Sequence, residues 1–415
     1  MPLPSDIDIA IIGAGAAGLA AARVLEGSGR SLIVLEARER TGGRAHTINF
    51  PHGIRFDLGC GWLHSADRNG FVAVARQLGF DLDTTEPRWR EQSLNIGFSP
   101  DERRDYLAAL DAFYDRAEQA ALRENDGPAS AWLEPGNRWN PLIDAISTYV
   151  NGCELDQVSV YDMDAYEDTG HNWRVVRGYG ALVQAFGASC PVALGVDATV
   201  IDHTGTRLRI ETSQGTLTAG QVIVTVPTNI LATERLRFYP ALTKKTSAAA
   251  GLPLGLADKV ILQIKGDVAD LRADEFLRGA KTRTATGSYQ LRPFGSPCIE
   301  GFFGGRHARE LEDAGEGALA AAAIDEIAAL LGNGYRSRLK PLMASRWAHD
   351  PFALGSYSHS LPGQSGDRAI LAEPVDGRIF FAGEATSPGF FSTAHGAKES
   401  GERAAREVLG RHTAD

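Results

Sequence analysis

The stretch IAIIGAGAAG, residues 9–18, decides how this 415-residue chain folds. An apolar strand-like run meets a glycine-rich turn, a helix-forming segment follows, and a second strand-like run ends at Glu36. This order, with its G-x-G-x-x-G spacing, predicts a dinucleotide-binding βαβ unit. In such a unit the first glycine allows the tight turn, the second lets a pyrophosphate approach, and the third lets the helix pack on the strand. Here they are Gly13, Gly15 and Gly18.

Glu36 and the residues after it extend the predicted cofactor site. An acid at this distance from the glycines can accept hydrogen bonds from a ribose diol, and its charge disfavours the 2′-phosphate of NADP. The glycine pattern alone does not separate FAD from NAD, and it leaves an ordinary βα turn open. The segment EARERTGGR, residues 36–44, adds Arg44 as a charge-assisted donor for the same diphosphate. This segment resembles the GGR-containing FAD oxidoreductases, which implies FAD. The neighbouring positions assigned to the cofactor are Ala16, Ala17, Ala37, Arg38 and Gly43.

Composition and charge narrow the function classes. A net charge of −10 without a basic block argues against a nucleic-acid partner. The four cysteines show no metal-ligand or disulfide-framework spacing, so we expect no metal site and a reducing compartment. The N-terminus lacks signal-peptide features, and no run approaches the ~18 apolar residues that span a bilayer. We therefore expect a cytoplasmic protein without a membrane partner. The oligomeric state stays open, with a homodimer as one alternative.

The alternation of predicted elements indicates an α/β chain with an α+β substrate part. We predict a Rossmann-like FAD-binding domain with an inserted substrate domain of mixed sheet and helices. The FAD-binding domain would comprise residues 1–75, 174–255 and 365–415, and the substrate-binding domain residues 76–173 and 256–364. Helical patterns cover residues 99–124, 140–151, 238–255, 315–331 and 393–409. Strand patterns cover residues 173–176, 192–200, 207–212, 221–226, 259–265, 287–304 and 378–382, the first four forming a small antiparallel sheet.

A second flavin-type pattern lies near the C-terminus. The strand-like RIFFAGEAT at residues 378–386 is followed by FFSTAHGA at residues 390–397, where a helix begins. This pattern resembles that of the flavin amine oxidases. In that family the helix directs its positive N-terminal end at the flavin ring, where negative charge develops on reduction. The alternative is a helix that only packs on a sheet. The resemblance assigns Gly383, Glu384, Thr393 and Ala394 to the cofactor.

The segment RWAHDPFALGSYS, residues 346–358, resembles the family segment beside the flavin. There Trp347 and Tyr357 would offer aromatic faces to the substrate amine, although both could also be ordinary core aromatics. Ser356 occupies the position of the cysteine that binds flavin covalently in monoamine oxidases, so the resemblance implies non-covalent FAD. Thr393 replaces the second cage tyrosine of monoamine oxidases, which matches the polyamine-oxidase branch better.

The remaining site residues also rest on the resemblance. Lys259 matches the family lysine that holds a water against the flavin, with a solvent-facing side chain on an alternating strand as the alternative. The segment FDLGCGWLH, residues 56–64, resembles the loop under the flavin ring. His64 is similar to the histidine of polyamine oxidases, with a plain polar neighbour as the alternative. Further cofactor positions are Gly59, Cys60, Gly61, Trp62 and Val200.

Four acidic residues precede the strand at Trp173 and could steer a polycationic amine towards the site, or could simply be solvated. They are Asp162, Asp164, Glu167 and Asp168.

The resemblance implies an FAD-dependent amine oxidase that converts a primary or secondary amine, with di- or polyamines favoured, to an imine while O2 is reduced to H2O2. One alternative is an L-amino-acid oxidase or a related desaturase. An amino-acid oxidase needs an arginine for the carboxylate, for which Arg292 and Arg306 are available. The other is a flavin-binding interaction protein without turnover.

Overall fold

The computed structural model describes residues 3–123 and 126–410. Within these residues the β-strands are β1 (Asp6–Ile12), β2 (Leu32–Leu35), β3 (Thr47–Asn49), β4 (Arg55–Asp57), β5 (Trp62–Leu63), β6 (Leu82–Asp83), β7 (Trp173–Val175), β8 (Val192–Ala193), β9 (Ala198–Asp202), β10 (Leu208–Thr212), β11 (Gly215–Val224), β12 (Arg237–Tyr239), β13 (Ala257–Ile264), β14 (Glu275–Arg278), β15 (Ser288–Leu291), β16 (Cys298–Gly304), β17 (Leu339–Ala344) and β18 (Ile379–Phe381). The α-helices are α1 (Ala16–Leu25), α2 (Gly70–Gln77), α3 (Pro100–Ala121), α4 (Asn140–Val150), α5 (Val160–Ala165), α6 (Tyr179–Phe186), α7 (Thr228–Ala232), α8 (Thr243–Gly251), α9 (Gly305–Asp313), α10 (Ala318–Leu331), α11 (Tyr335–Arg338), α12 (Asp367–Ala372) and α13 (Ala394–Val408).

The predicted βαβ unit forms the centre of an eight-stranded sheet. Strand β1 pairs in parallel with β2, Ile9 opposite Leu32, and α1 follows β1 after the glycine turn. The run from Ile9 to Ile12 is buried, as expected for a parallel strand covered on both faces. The sheet order is β12-β9-β10-β11-β1-β2-β8, with β18 beside β11. The α/β prediction is confirmed.

The long strand β11 corrects the prediction of a separate antiparallel sheet. Its first half pairs with β10 and its second half with β18, while its other edge pairs with β1. Strands β9 and β10 are therefore an antiparallel extension of the main sheet. The predicted strand at residues 192–200 is two strands, β8 and β9, and the predicted helix at residues 238–255 becomes helical only at Thr243.

A second sheet has the order β14-β15-β16-β13-β17, and all of its neighbours pair antiparallel. Alternate side chains point to opposite faces. One face buries an apolar cluster against α10, including Val260, Leu262 and Tyr289. The other face, with Lys259 and Phe302, lines a cavity. This sheet therefore forms one wall of the candidate site.

Helices α3 and α4 share one apolar cluster, and α3 and α5 share a second, smaller one. Helix α3 begins with a capping box, in which Ser99 and Glu102 bond each other's backbone N–H. Its predicted end at Glu124 lies outside the described residues. None of the helices that the structure describes is long and apolar enough to cross a membrane.

The C-terminal helix α13 packs directly on α1. A Cβ atom at Gly401 would lie 2.0 Å from the Ala17 carbonyl oxygen, so only glycine permits this approach. The strands of the main sheet come from the three pieces predicted to bind FAD, and those of the second sheet from residues 256–364. The boundaries of the two domains stay a prediction.

Candidate active site

One cavity of about 890 Å³ connects the glycine turn of the main sheet with the open face of the second sheet. This volume is at the upper end of the range for cofactor and small-ligand sites. All of the predicted site residues line the cavity except Gly18 and Val200: Gly13, Gly15, Ala16, Ala17, Glu36, Ala37, Arg38, Gly43, Arg44, Gly59, Cys60, Gly61, Trp62, His64, Lys259, Trp347, Tyr357, Gly383, Glu384, Thr393 and Ala394.

The glycine turn has the geometry expected of a phosphate cradle. Gly13 has a φ of +103°, which disfavours any side chain. A Cβ atom at Gly15 would meet no protein atom within 4 Å and would project into the cavity. A Cβ atom at Gly18 would lie 1.9 Å from the Gly13 carbonyl oxygen. Gly18 therefore acts outside the cavity, by letting α1 approach the strand.

Glu36 is buried at the cavity wall, with 3% of its surface exposed. Its Oε2 accepts a hydrogen bond from the Ala14 backbone N–H at 2.7 Å, and its Oε1 accepts one from the Arg38 N–H at 2.9 Å. Because each carboxylate oxygen can accept two hydrogen bonds, capacity remains for a ribose diol.

Val200 does not lie at the cavity, contrary to the prediction. It lies in the middle of β9, whereas the residues that line the cavity are those just before the strand and its first residue. The residues that sequence reasoning missed are Val196, Asp197 and Ala198.

Arg44, from the N-terminal part of the chain, forms hydrogen bonds with two residues from its C-terminal part. Its Nη1 donates to the Ser356 carbonyl oxygen at 2.7 Å and to Glu384 Oε1 at 3.0 Å. The Glu384 Oε2 accepts from the Ser358 hydroxyl at 2.7 Å and from the Ser392 N–H at 2.8 Å. Burial favours the neutral acid, but Arg44 and these hydrogen bonds outweigh it and lower the pKa of Glu384. In the structure Arg44 therefore serves a buried carboxylate, a role that the sequence did not reveal.

The loop at residues 57–61 packs closely against the backbone at Arg44. A Cβ atom at Gly59 would lie 1.7 Å from the Arg44 carbonyl oxygen, so this approach also needs glycine. Burial, with the Asp57 charge in second place, raises the pKa of the Cys60 thiol to about 12. Cys60 is therefore a neutral thiol near pH 7, which suits a small packing residue better than a nucleophile.

Helix α13 presents its N-terminus to the cavity. Thr393 caps it by accepting the Gly396 N–H at 3.0 Å, and Ala394 lies at the cavity wall. The first-turn N–H groups and the positive dipole end favour negative charge at this place.

Trp347, Tyr357 and Ser356 have fixed orientations. The Trp347 indole N–H donates to the Leu58 carbonyl oxygen at 3.1 Å. The Tyr357 hydroxyl donates to the Tyr149 carbonyl oxygen, and burial raises its pKa. The Ser356 hydroxyl donates to the Ala257 carbonyl oxygen at 2.9 Å. Eight further aromatic residues line the cavity that the sequence did not single out: Trp89, Tyr114, Tyr149, Tyr166, Phe276, Phe302, Phe352 and Phe391.

Lys259 is buried, which removes the solvent-facing alternative. Its exposed fraction is 7%, because this face of the second sheet closes the cavity rather than meeting solvent. The ammonium donates to the Asp57 carbonyl oxygen at 2.9 Å and lies 3.0 Å from Glu300 Oε1. Glu300 was not predicted, since its separation of 41 positions in sequence gives no signal of the contact.

His64 is half-buried at the cavity wall and has a defined partner. Its Nδ1 lies 2.6 Å from the Asn172 amide oxygen, which can only accept, so Nδ1 carries the proton. Burial lowers the pKa of His64, and the ring is neutral near pH 7. Asn69 donates to the His64 carbonyl oxygen at 3.0 Å and caps α2.

The four acidic residues before β7 do not act as one group. Asp162 is buried and forms a bidentate pair with Arg368, at 2.6 and 2.8 Å. Its role is structural, which corrects the prediction that it faces an approaching amine. Glu167 pairs with Arg68 at the surface, whereas Asp168 lines the cavity.

Comparison with known proteins places this site in a family. The family model described as flavin-containing amine oxidoreductase matches residues 16–409. The chain belongs to this family. The family identity makes FAD the cofactor.

Relatives in this family include plant proteins of two kinds. A lysine-specific histone demethylase 1 homolog 1 of Oryza sativa subsp. japonica is 29% identical over 99% of this chain and 52% of its own length. Polyamine oxidase 4 of the same plant is 27% identical over 96% of this chain and 88% of its own. Polyamine oxidase 2 of Arabidopsis thaliana is 27% identical over 96% of this chain and 87% of its own length. The chain thus spans about half the length of the demethylase relative.

The residues present fit the FAD of this family. The open side of Gly15, the spare acceptor capacity of Glu36 and the N-terminus of α13 lie along one continuous cavity. In an amine oxidoreductase they would hold the pyrophosphate, the ribose and the ring edge, respectively. Arg292 and Arg306, the possible carboxylate partners, do not line this cavity. Arg292 bonds the Leu271 carbonyl oxygen and Arg306 pairs with Asp156.

Proposed function

We propose that the protein is an FAD-dependent amine oxidase that converts a primary or secondary amine to an imine, with di- or polyamines preferred, while O2 is reduced to H2O2. The observation that carries the proposal is the meeting of Trp347, Tyr357 and Lys259 with the dinucleotide cradle in one cavity. FAD, when bound, supplies the acceptor for a hydride from the carbon next to the amine nitrogen.

The chain's own residues supply position and a dry environment. Trp347 and Tyr357 are held by backbone hydrogen bonds, so their faces form a fixed slot for an amine. The eight further aromatic residues give the cavity wall apolar faces, which favour the exclusion of water around a bound amine. Lys259 holds its proton at Nζ against Asp57 and Glu300, where it can donate to a water or ligand. Hydride loss from a neutral amine needs no strong base, so we assign none.

Two observations favour di- or polyamines over amino acids. Asp168 brings a carboxylate to the cavity wall, where it could meet a distal ammonium group. Neither Arg292 nor Arg306 reaches the cavity, so neither of these arginines can pair with an α-carboxylate there. The polyamine oxidases among the relatives support the same choice.

We expect FAD to be bound without a covalent link. The Ser356 hydroxyl is engaged by both the N–H and the carbonyl oxygen of Ala257 and cannot form a thioether. Acid precipitation of the yellow protein should therefore release intact FAD into the supernatant, where its absorbance is measured. Flavin that stays with the washed polypeptide would contradict this prediction.

Activity should rise with pH through neutrality for simple amines, because only the deprotonated nitrogen can release its lone pair into the forming imine. For diamines and polyamines, kcat/KM should also fall with salt, since exposed charges such as Asp168 are screened over about 10 Å at 0.1 M ionic strength. Putrescine, spermidine, benzylamine and several L-amino acids should be compared in a peroxide-coupled assay at low and high salt. Benzylamine, which has no distal charge, is the control for the salt effect.

The substrate comparison also decides between the two oxidase functions. If an L-amino acid exceeds every amine in kcat/KM by more than about tenfold, the proposed function is wrong and an amino-acid oxidase replaces it. If no amine or amino acid reduces the flavin under anaerobic conditions, the flavin-binding protein without turnover is favoured.

A further inference from the structure

Glu300 lies on the cavity face of the second sheet, beside Lys259. The register aligns Lys259, Phe302 and Ser288 in one row across β13, β16 and β15, and Glu300 and Gln290 in the next row. Residues two apart on a strand share a face, so both rows face the cavity. Glu300 and Lys259 come from adjacent strands, and their charged groups approach to 3.0 Å.

The Lys259 ammonium has one carboxylate in direct contact. Its neighbour Asp57 offers only a carbonyl oxygen, because the Asp57 carboxylate accepts from the Thr47 hydroxyl at 2.5 Å and from the N–H groups of Tyr179 and Gly180. Among the residues that the structure describes, Glu300 on β16 therefore supplies the carboxylate that neutralises the Lys259 ammonium. Both side chains line the cavity, with Lys259 9% and Glu300 17% exposed, so a ligand meets a carboxylate directly beside the ammonium.

An ammonium without that partner would recognise a different class of ligand. A lysine at the wall of a water-poor cavity attracts carboxylates, because a hydrogen bond between two charged groups is stronger than one between neutral groups. The arginines near the aromatic part of the cavity are also paired: Arg44 with Glu384, and Arg90 with Asp111 at 2.6 and 2.8 Å. Glu300 likewise pairs with Lys259, so a ligand carboxylate that approaches this ammonium must compete with a protein carboxylate.

We propose that Glu300 is a specificity-determining residue, which makes the cavity select amines that carry no carboxylate beside the reacting nitrogen. The inference rests on the proposed function and deepens it by naming the excluded substrates. An α-carboxylate that reaches Lys259 meets Glu300 as a like charge and must displace it from the ammonium. Specificity of this kind comes from a repulsive element built against the wrong ligand.

The test measures ligand binding to the FAD-loaded protein, without turnover. The probe is pentanoate, and its dissociation constant is read from the change in flavin absorbance near neutral pH. Glu300→Gln keeps the shape and removes the charge, so it should bind pentanoate at least about tenfold more tightly than the wild type, which corresponds to about 1.4 kcal/mol. Glu300→Ala should show the same gain and serves if the glutamine variant does not fold.

Two control variants separate this contact from a general charge effect. Asp168→Asn removes another carboxylate from the cavity without freeing an ammonium, and should not gain affinity for pentanoate. The double variant Lys259→Met/Glu300→Gln should lose the gain, because the freed ammonium is absent. The inference is overturned if Glu300→Gln and Glu300→Ala bind pentanoate no more tightly than the wild type, or if Asp168→Asn gains equally.

Turnover then distinguishes this inference from the proposed function. n-Butylamine and L-norvaline share a carbon skeleton and differ by the α-carboxylate, so their ratio of kcat/KM should fall at least about tenfold in Glu300→Gln. Wild-type protein that oxidises no amine, together with a pentanoate gain in the variant, would refute the proposed function and keep the role of Glu300. Amine oxidation by the wild type without any gain in the variants would refute the role of Glu300 alone.

Discussion

Glu384→Gln should destabilise the protein by about 3–5 kcal/mol and abolish FAD retention during purification, because it leaves buried partners of a carboxylate unpaired. Glu384 is 5% exposed, pairs with Arg44, and accepts from the Ser358 hydroxyl and the Ser392 N–H. An amide in its place turns one acceptor into a donor that faces donors. Thermal unfolding of the apo-protein and the flavin-to-protein absorbance ratio measure the two effects.

The matched control for Glu384 is Glu373→Gln. Glu373 pairs with Lys244 at 2.9 Å, but the two side chains are 57% and 66% exposed. An exposed pair of this kind contributes about 0–1 kcal/mol, so the control should keep both its melting temperature and its FAD. If both variants lose melting temperature and FAD to the same extent, the buried pair of Glu384 with Arg44 contributes no more than an exposed pair, and the prediction is wrong.

Gly18→Ala should lower FAD affinity by about 10–100-fold and also lower the melting temperature of the apo-protein. Its Cβ atom would lie 1.9 Å from the Gly13 carbonyl oxygen, so α1 must move away from the turn that approaches the pyrophosphate. Overpacking of this kind costs about 1–3 kcal/mol. Equilibrium titration of apo-protein with FAD, followed by flavin fluorescence, measures the first effect.

Gly15→Ala provides the contrast, because its Cβ atom meets no protein atom within 4 Å. This variant should leave the melting temperature of the apo-protein unchanged. It should still lower the affinity for FAD, since the added methyl group occupies the space for the pyrophosphate. If Gly15→Ala binds FAD as tightly as the wild type, the cofactor does not approach this glycine, and the dinucleotide interpretation of the turn is wrong.

The sequence was most informative where a function needs a particular backbone. The glycines of the turn and the strand–turn–helix at the C-terminus predicted elements that the structure contains, with helix and strand ends shifted by a few residues. Where two backbone segments pack closely, or where φ is positive, only glycine fits, so a short stretch of sequence is enough to predict the element. The pairing of β11 with both β10 and β18 could not be predicted in this way, because sheet partners are distant in sequence.

Side-chain roles were predictable only in part, because burial depends on what packs opposite. Lys259 has the alternating pattern of a half-exposed strand, but the face it shares with Phe302 closes a cavity. Asp162 looks like one acid among four, yet it is buried against Arg368, which lies 206 positions away. The role of Glu300 could not be predicted from the sequence. Its local sequence is that of any glutamate in a strand, and its lysine partner lies on a neighbouring strand.

The packing of α13 on α1 has a consequence for biosynthesis. The glycine turn is made first, but the helix that presents its N-terminus to the cavity begins at Ala394, and Gly401 must meet Ala17 for it to dock. Contacts between residues so far apart in sequence need a large loop to close and therefore form slowly. A nascent chain from which α13 has not yet emerged has no complete pocket, so we expect tight FAD binding only after this helix has been made and has docked on α1.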